Sequence, residues 1–236
     1  MNVEEIRTRI KDTYKSLSSY QDSGVIRRSH MVMEVNGWFK THYLKPNQLL
    51  FEWSEFGAGD ENVLMIKDDK AQLIHKGMPE KMKVTKSMQD IEKVMTVNMP
   101  MSMAAGATSG MSDKVLPLLI DKSQRPCFIA KKLARLRDQV IDGESCFQLR
   151  EIYEPSIVWV SQNDFTVRRC ESDGFPILND IFRPTMKAIV YLSKLFSPKS
   201  NLPSHVDDRM TADWLFQNVQ YNHLDESSFP KFEFER

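Results

Sequence analysis

Apolar positions near the start of the chain recur at helical spacing, with Val3, Ile6, Ile10, Tyr14 and Leu17 on one face. Asn2 followed three residues later by Glu5 has the form of a capping box, so the pattern predicts an amphipathic helix from residue 3 to about 18. From Tyr20 the period drops to two. Met31, Val32, Met33 and Val35 lead to Asn36-Gly37 and then to the run from Trp38 to Leu44, and Asn-Gly between apolar runs predicts a hairpin turn. Lys45-Pro46-Asn47 turns the chain again. Leu49, Phe51 and Trp53 then alternate with Leu50, Glu52 and Ser54, giving a strand with one strongly aromatic face. Residues 63–66 and 71–75 flank Lys67-Asp68-Asp69-Lys70 as a second hairpin, and 81–86 extend the meander. Residues 22–86 thus read as one antiparallel sheet.

Helical spacing returns after Ser87, with Ile91, Val94 and Met95, and a second short helix is expected over residues 112–120. Between them lies a stretch of small residues, 104–110. Strands are expected over 128–140, 146–153, 157–161 and 166–172, with turns at Ile141-Asp142-Gly143-Glu144 and Ser161-Gln162-Asn163-Asp164. Pro184 followed by Met186, Ile189, Val190, Leu192, Leu195 and Phe196 predicts an inserted helix over 184–196, which Pro198 stops. Residues 197–209 read as loop, and the end, from Trp214 to Phe234, returns to strand. No repeat, heptad or low-complexity linker divides the chain, so residues 1–236 read as a single α+β domain.

Charge and composition narrow the function classes. Thirty-two basic against thirty-two acidic residues give zero formal net charge, which argues against a nucleic-acid binder that must neutralise many phosphates. No stretch approaches the roughly 20 apolar residues of a membrane-spanning helix. Cys127, Cys146 and Cys170 show no C-x-x-C spacing, and three buried free thiols are expected. Of fourteen methionines, eight fall between Met78 and Met111, a clustering that composition alone does not explain.

The order of several short segments resembles the outer-membrane lipoprotein carrier (LolA-like) superfamily and its lipoprotein-sorting-like branch. Ser18-Ser19-Tyr20-Gln21 looks like the end of the family's first helix. Trp38-Phe39-Lys40-Thr41, Lys45-Pro46-Asn47, Phe51-Glu52-Trp53 and Val63 to Asp68 resemble its following strands. Asp142 to Cys146, Val158-Trp159-Val160 with Val167-Arg168-Arg169, and Asn218 to Asn222 with Phe232-Glu233-Phe234 resemble the larger branch. The resemblance implies an incomplete antiparallel β-barrel, or half-barrel, with helices covering a concave apolar face. It further implies a non-enzymatic carrier or sensor for lipid or acylated lipoprotein, with a membrane-associated donor or acceptor protein as a further partner. It points to the periplasm and cell envelope, while the N-terminal residues given show no export signal. Where the family's carrier has an arginine before the turn proline, this chain has Lys45.

A half-barrel holding an acyl chain needs an apolar face free of orphan polar groups, since each buried methylene contributes roughly 0.8 kcal/mol and an unpaired donor costs more. Leu49, Phe51 and Trp53, with neighbours Phe39, Tyr43, Val63 and Met65, meet that need, with Lys45 beside them at the turn. Met95, Met99, Met101 and Met103 complete the candidate ligand site as a pliable lid within residues 87–120, because thioether side chains adapt to irregular ligands. Two other readings stand beside this one. The same fold with a filled core would be a protein-interaction or sensor module, and Met99-Pro100-Met101-Ser102-Met103 has the soft ligands that select Cu(I). No catalytic residue, metal site or cofactor is assigned: the histidines are scattered singly, the paired acids sit in turns, and no H-E-x-x-H, G-x-S-x-G or phosphate loop occurs.

Overall fold

The computed structural model describes residues 1–30, 33–46, 48–54, 61–67, 70–75, 84–87, 112–120, 127–153, 156–173 and 211–231. The Met-rich stretch 88–111, the helix expected over 184–196, the loop 197–209 and Phe232 to Phe234 lie outside the described residues.

The first helix, α1 (Val3–Ser16), starts as the capping pattern requires: Asn2 Oδ1 accepts from the Glu5 amide and Glu5 Oε2 accepts from the Asn2 amide, each at 2.9 Å. Its buried stripe is Ile6, Ile10 and Tyr14. There follow β1 (Ser19–His30), β2 (Met33–Leu44), β3 (Gln48–Ser54), β4 (Glu61–Lys67), β5 (Lys70–His75) and β6 (Val84–Ser87). After these come a second helix, α2 (Ser112–Leu119), and a 3-10 turn at Phe128–Ala130. The remaining strands are β7 (Leu133–Arg135), β8 (Gln139–Ile141), β9 (Glu144–Glu151), β10 (Ser156–Ser161), β11 (Val167–Asp173) and β12 (Thr211–Tyr221).

All twelve described strands belong to one antiparallel sheet in the order β6-β5-β4-β3-β2-β1-β12-β11-β10-β9-β7, with β8 also paired to β9. The first and last strands of this order do not pair, so the sheet is an open half-barrel. Its two meanders meet through β12, which lies between β1 and β11. The curvature shows in the aromatic side chains: β3 and β12 are three strand spacings apart, roughly 14 Å along a flat sheet, yet the Phe51 and Trp214 rings are 6.2 Å apart. The principal core lies on this concave side, where Ile6, Ile10 and Tyr14 of α1, Leu17 just after it, and Val115, Leu116 and Leu119 of α2 join the inward residues of the sheet.

Three expectations are corrected. Asn36-Gly37 is not a turn: β2 runs through it, with Asn36 opposite Arg27 and Gly37 opposite Ile26, because a long register on β1 pairs more backbone than a mid-run hairpin would. Residues 128–140 are not one strand but the 3-10 turn followed by the short β7 and β8. β7 and β8 lie in succession along β9, Leu133 to Arg135 facing 149–151 and Gln139 to Ile141 facing 144–146. Finally, β12 ends at Tyr221. Beyond it Asp225 accepts from the Ser227 and Ser228 amides in a turn, and Leu224 and Phe229 pack on the convex face against Leu44, Leu50 and Met65.

Candidate functional site

The aromatic face expected of β3 is present and continues across the sheet. Phe51 stacks on Trp53 at 5.0 Å between ring centroids, and Phe39 meets Trp214 at 4.6 Å and Phe216 at 5.0 Å. Phe39, Tyr43, Leu49, Phe51 and Trp53 all belong to the concave core and are buried. The structure separates Val63 and Met65 from them. Leu49 pairs with Ile66 and Phe51 with Leu64, so Leu64 and Ile66 are the inward residues of β4, while Val63 and Met65 lie on the convex face. Both faces of β4 are apolar, and alternation alone does not choose between them.

Lys45 is exposed. Its Nζ donates to the Lys15 carbonyl in the last turn of α1 at 2.9 Å, and its amide donates to the Ser18 carbonyl at 2.9 Å, so it ties the β2–β3 turn to the helix end. Met95, Met99, Met101 and Met103 lie outside the described residues.

A polar set on the same concave side escaped the sequence. Asp22 is 3% exposed on β1, with its Oδ2 accepting from the Tyr20 hydroxyl at 2.7 Å and its Oδ1 without a hydrogen-bond partner. Burial drives its pKa up to about 6, against the opposing pull of Thr41 and Tyr20. The neighbouring Tyr14 hydroxyl accepts from the Val167 amide at 3.1 Å, joining α1 to β11. Farther along, Lys114 of α2 reaches the buried Glu151 of β9 and donates to Ser156 at 3.1 Å, while Lys131 lies 3.0 Å from the second Glu151 oxygen. Burial disfavours the Glu151 carboxylate, but Lys114 outweighs it and holds the pKa below the ordinary value.

A cavity of about 280 Å³ opens beside the 216–219 segment of β12. Its position follows from strand lengths. β11 pairs with β12 only over Thr211 to Leu215, whereas β1 follows β12 on to Tyr221 with a bulge at the Gln21–Ser23 step, where Asn218 takes φ 50°. Phe216, Val219 and Ile141 give the cavity an apolar side; Asp142, Glu144 and Arg168 give it a charged one. The β8–β9 turn that carries Asp142 and Gly143 has φ of 48° and 85°, the conformation of a tight primed hairpin turn.

Arg168 is fixed by two carboxylates. Its Nε donates to Glu144 at 2.5 Å and its Nη2 to Asp164 at 2.7 Å, while the Ser161 hydroxyl also donates to Glu144. Burial works against both acids, but the Arg168 and Ser161 bonds keep Glu144 below its usual pKa, and the Thr166 amide and hydroxyl do the same for Asp164. In the sequence Arg168 stands out only within a segment of the family resemblance, while Glu144 and Asp164 also close the two expected turns, 141–144 and 161–164. Among the described residues no group of three or more His, Cys, Asp and Glu side chains could hold a metal ion, and no helix is long and apolar enough to cross a membrane.

No family model matches the chain, and no curated protein sequence matches it. Among solved structures it is similar to a LolA superfamily protein from Nitrosomonas europaea, at 11% identity over 98% of each chain, with a TM-score of 0.37. It is also similar to the lipoprotein LppX of Mycobacterium tuberculosis, at 10% identity over 94% of this chain and 98% of that one, TM-score 0.42. A third similarity is to the MucA/MucB complex of Pseudomonas aeruginosa, at 8% identity over 98% of this chain and 62% of that one, TM-score 0.45.

Proposed function

We propose that the protein is a non-enzymatic binding protein for an acyl chain of a lipid or lipoprotein, acting as carrier or sensor in the cell envelope. The observation that supports this best is the cavity beside β12, whose wall residue Phe216 is part of the concave aromatic stack and whose other side is charged. A wall of that kind suits an amphiphile: the chain lies against aromatic carbon and the head stays at the polar rim. In this reading Met95, Met99, Met101 and Met103 cover the bound chain, and residues 1–236 work as one unit.

A fluorescent acyl probe, together with mass spectrometry of lipid extracted from protein purified without detergent, tests the proposal. Probe uptake and a co-purified acyl species are expected; a protein that takes up no probe and carries no lipid overturns it.

The second reading, a protein-interaction module with a filled core, is favoured by the near-complete burial of Phe39, Phe51, Trp53 and Trp214. A protein that captures an envelope partner with every acyl site empty would fit that reading instead.

A further inference from the structure

β12 is paired on both sides for only part of its length. β11 follows it from Thr211 to Leu215, whereas β1 follows it to Tyr221. In an antiparallel sheet, successive residues of a strand turn their N–H and C=O groups alternately to one neighbour and to the other. About half of the backbone groups from Phe216 to Tyr221 therefore face away from β1, toward a side where no described strand pairs with them. Gln217, Asn218, Gln220 and Tyr221 are exposed, so this edge is open to solvent. The run from Phe216 to Tyr221 contains no charged residue and no proline, the side chains that commonly guard an edge. The bulge at the Gln21–Ser23 step bends β12 where β11 leaves it, and beside the bend opens the cavity of about 280 Å³.

Charge decides what suits this edge. Ile141, Phe216 and Val219 give the cavity an apolar wall, while Asp142 and Glu144 add carboxylates with Arg168 as the cation between them. Arg168 is shared with a further acid, Asp164. Asp142 is exposed and forms no ion pair among the described residues. Three carboxylates against one guanidinium leave the wall negative. A second copy pairing by the same edge would bring two acidic walls into one interface, and an acidic peptide would be repelled in the same way. A strand carrying Lys or Arg meets the opposite sign.

We infer that the open edge of β12 is a docking site for an extended basic segment of a partner protein, which adds as a strand along residues 216–221 and seats an apolar side chain in the cavity. Main-chain bonds supply affinity, and the cavity with Asp142 supplies specificity. The inference goes beyond acyl binding. An acyl chain lying against Phe216 and a peptide side chain contend for the same wall, so the test is made on protein freed of lipid.

Acetyl-(Val-Lys)4-amide, acetyl-(Val-Glu)4-amide and two forms of the first, N-methylated at every Val or at every Lys, are titrated onto the protein. Amide hydrogen exchange over residues 216–221 is the second readout. The lysine peptide is expected to bind at least tenfold more tightly than the glutamate peptide and to slow exchange across 216–221. One methylated form should keep this binding and the other lose it, because each edge of a strand carries the amides of alternate residues. Asp142→Asn, which keeps a side chain tolerated at φ 48°, should narrow the lysine-over-glutamate preference at least threefold. Equal affinity for the two peptides, full binding by both methylated forms, or binding that leaves exchange over 216–221 unchanged overturns the inference. So does a dimer in which those amides are already protected before peptide is added, since a second copy then covers the edge. A protein that takes up an acyl probe but no lysine peptide overturns it too, and leaves the acyl reading standing.

Discussion

The ring of Phe39 lies over Gly24. A β-carbon built on Gly24 would stand 2.5 Å from Phe39 Cε1 and Cζ and 2.1 Å from the Leu215 carbonyl oxygen. The missing side chain on β1 is what lets Phe39 of β2 meet Trp214 and Phe216 of β12, so one glycine admits the stack that lines the half-barrel. Gly24→Ala must move backbone as well as ring. Overpacking of this kind costs typically about 1–3 kcal/mol, and urea denaturation should show a lowered midpoint with a blue- or red-shifted tryptophan emission in the folded state.

Asp22 predicts a pH dependence of definite sign. Its folded pKa, about 6, lies above the ordinary aspartate value of 3.8. The folded state therefore keeps the proton longer than the unfolded chain, and the stability this contributes is present below pH 4 and lost as pH rises to about 6. Glu144 and Asp164, shifted down, act in the opposite direction, so the comparison has to be with Asp22→Asn. The variant should match the wild type near pH 4 and exceed it at pH 7 by about 3 kcal/mol; an equal difference at both values of pH would refute the assignment.

The buried pair of Lys114 and Glu151 fastens α2 to β9. Lys114→Met leaves Glu151 in the core with the half-buried Lys131 beside it, and loss of one partner of a buried pair costs about 3–5 kcal/mol. Adding Glu151→Leu removes the stranded charge. The double variant should recover at least half of the loss, measured by chemical denaturation of both proteins.

All three thiols are free and buried, and burial pushes Cys127 up to about 12 and Cys146 up to about 11, with Cys170 raised as well. Few thiolates form at neutral pH, and the thiolate is the reactive species. A thiol reagent should label none of them within minutes in the native protein and all three in denaturant. Rapid native labelling of any one would show that the structure opens around it.

For the methionines the expected outcome concerns binding rather than fold. Replacing Met95, Met99 and Met103 together by Asp should weaken acyl-probe affinity at least tenfold, about 1.4 kcal/mol, because a charge against an apolar ligand is costly. Lys45→Met, by contrast, removes a helix-end contact at the surface and should leave probe affinity unchanged.

Local chemistry alone determined a good part of this protein. The capping box of α1, the turn at Lys45-Pro46, the inward aromatic alternation of β3, the Asp142-Gly143 turn and the start of α2 each depend on neighbours within a few residues, and so were legible in the sequence. What the tertiary structure decided depends on partners far away in the chain. Asn36-Gly37 has turn chemistry but extends because β1 pairs along all of β2. β4 could face either way until its register with β3 put Leu64 and Ile66 inside and Met65 outside. The cavity exists because β1 follows β12 farther than β11 does, and its charged side brings Asp142 and Glu144, at the β8–β9 turn, to Arg168 of β11. Hydrophobic alternation specifies that a strand has two faces; only long-range pairing specifies what each face meets.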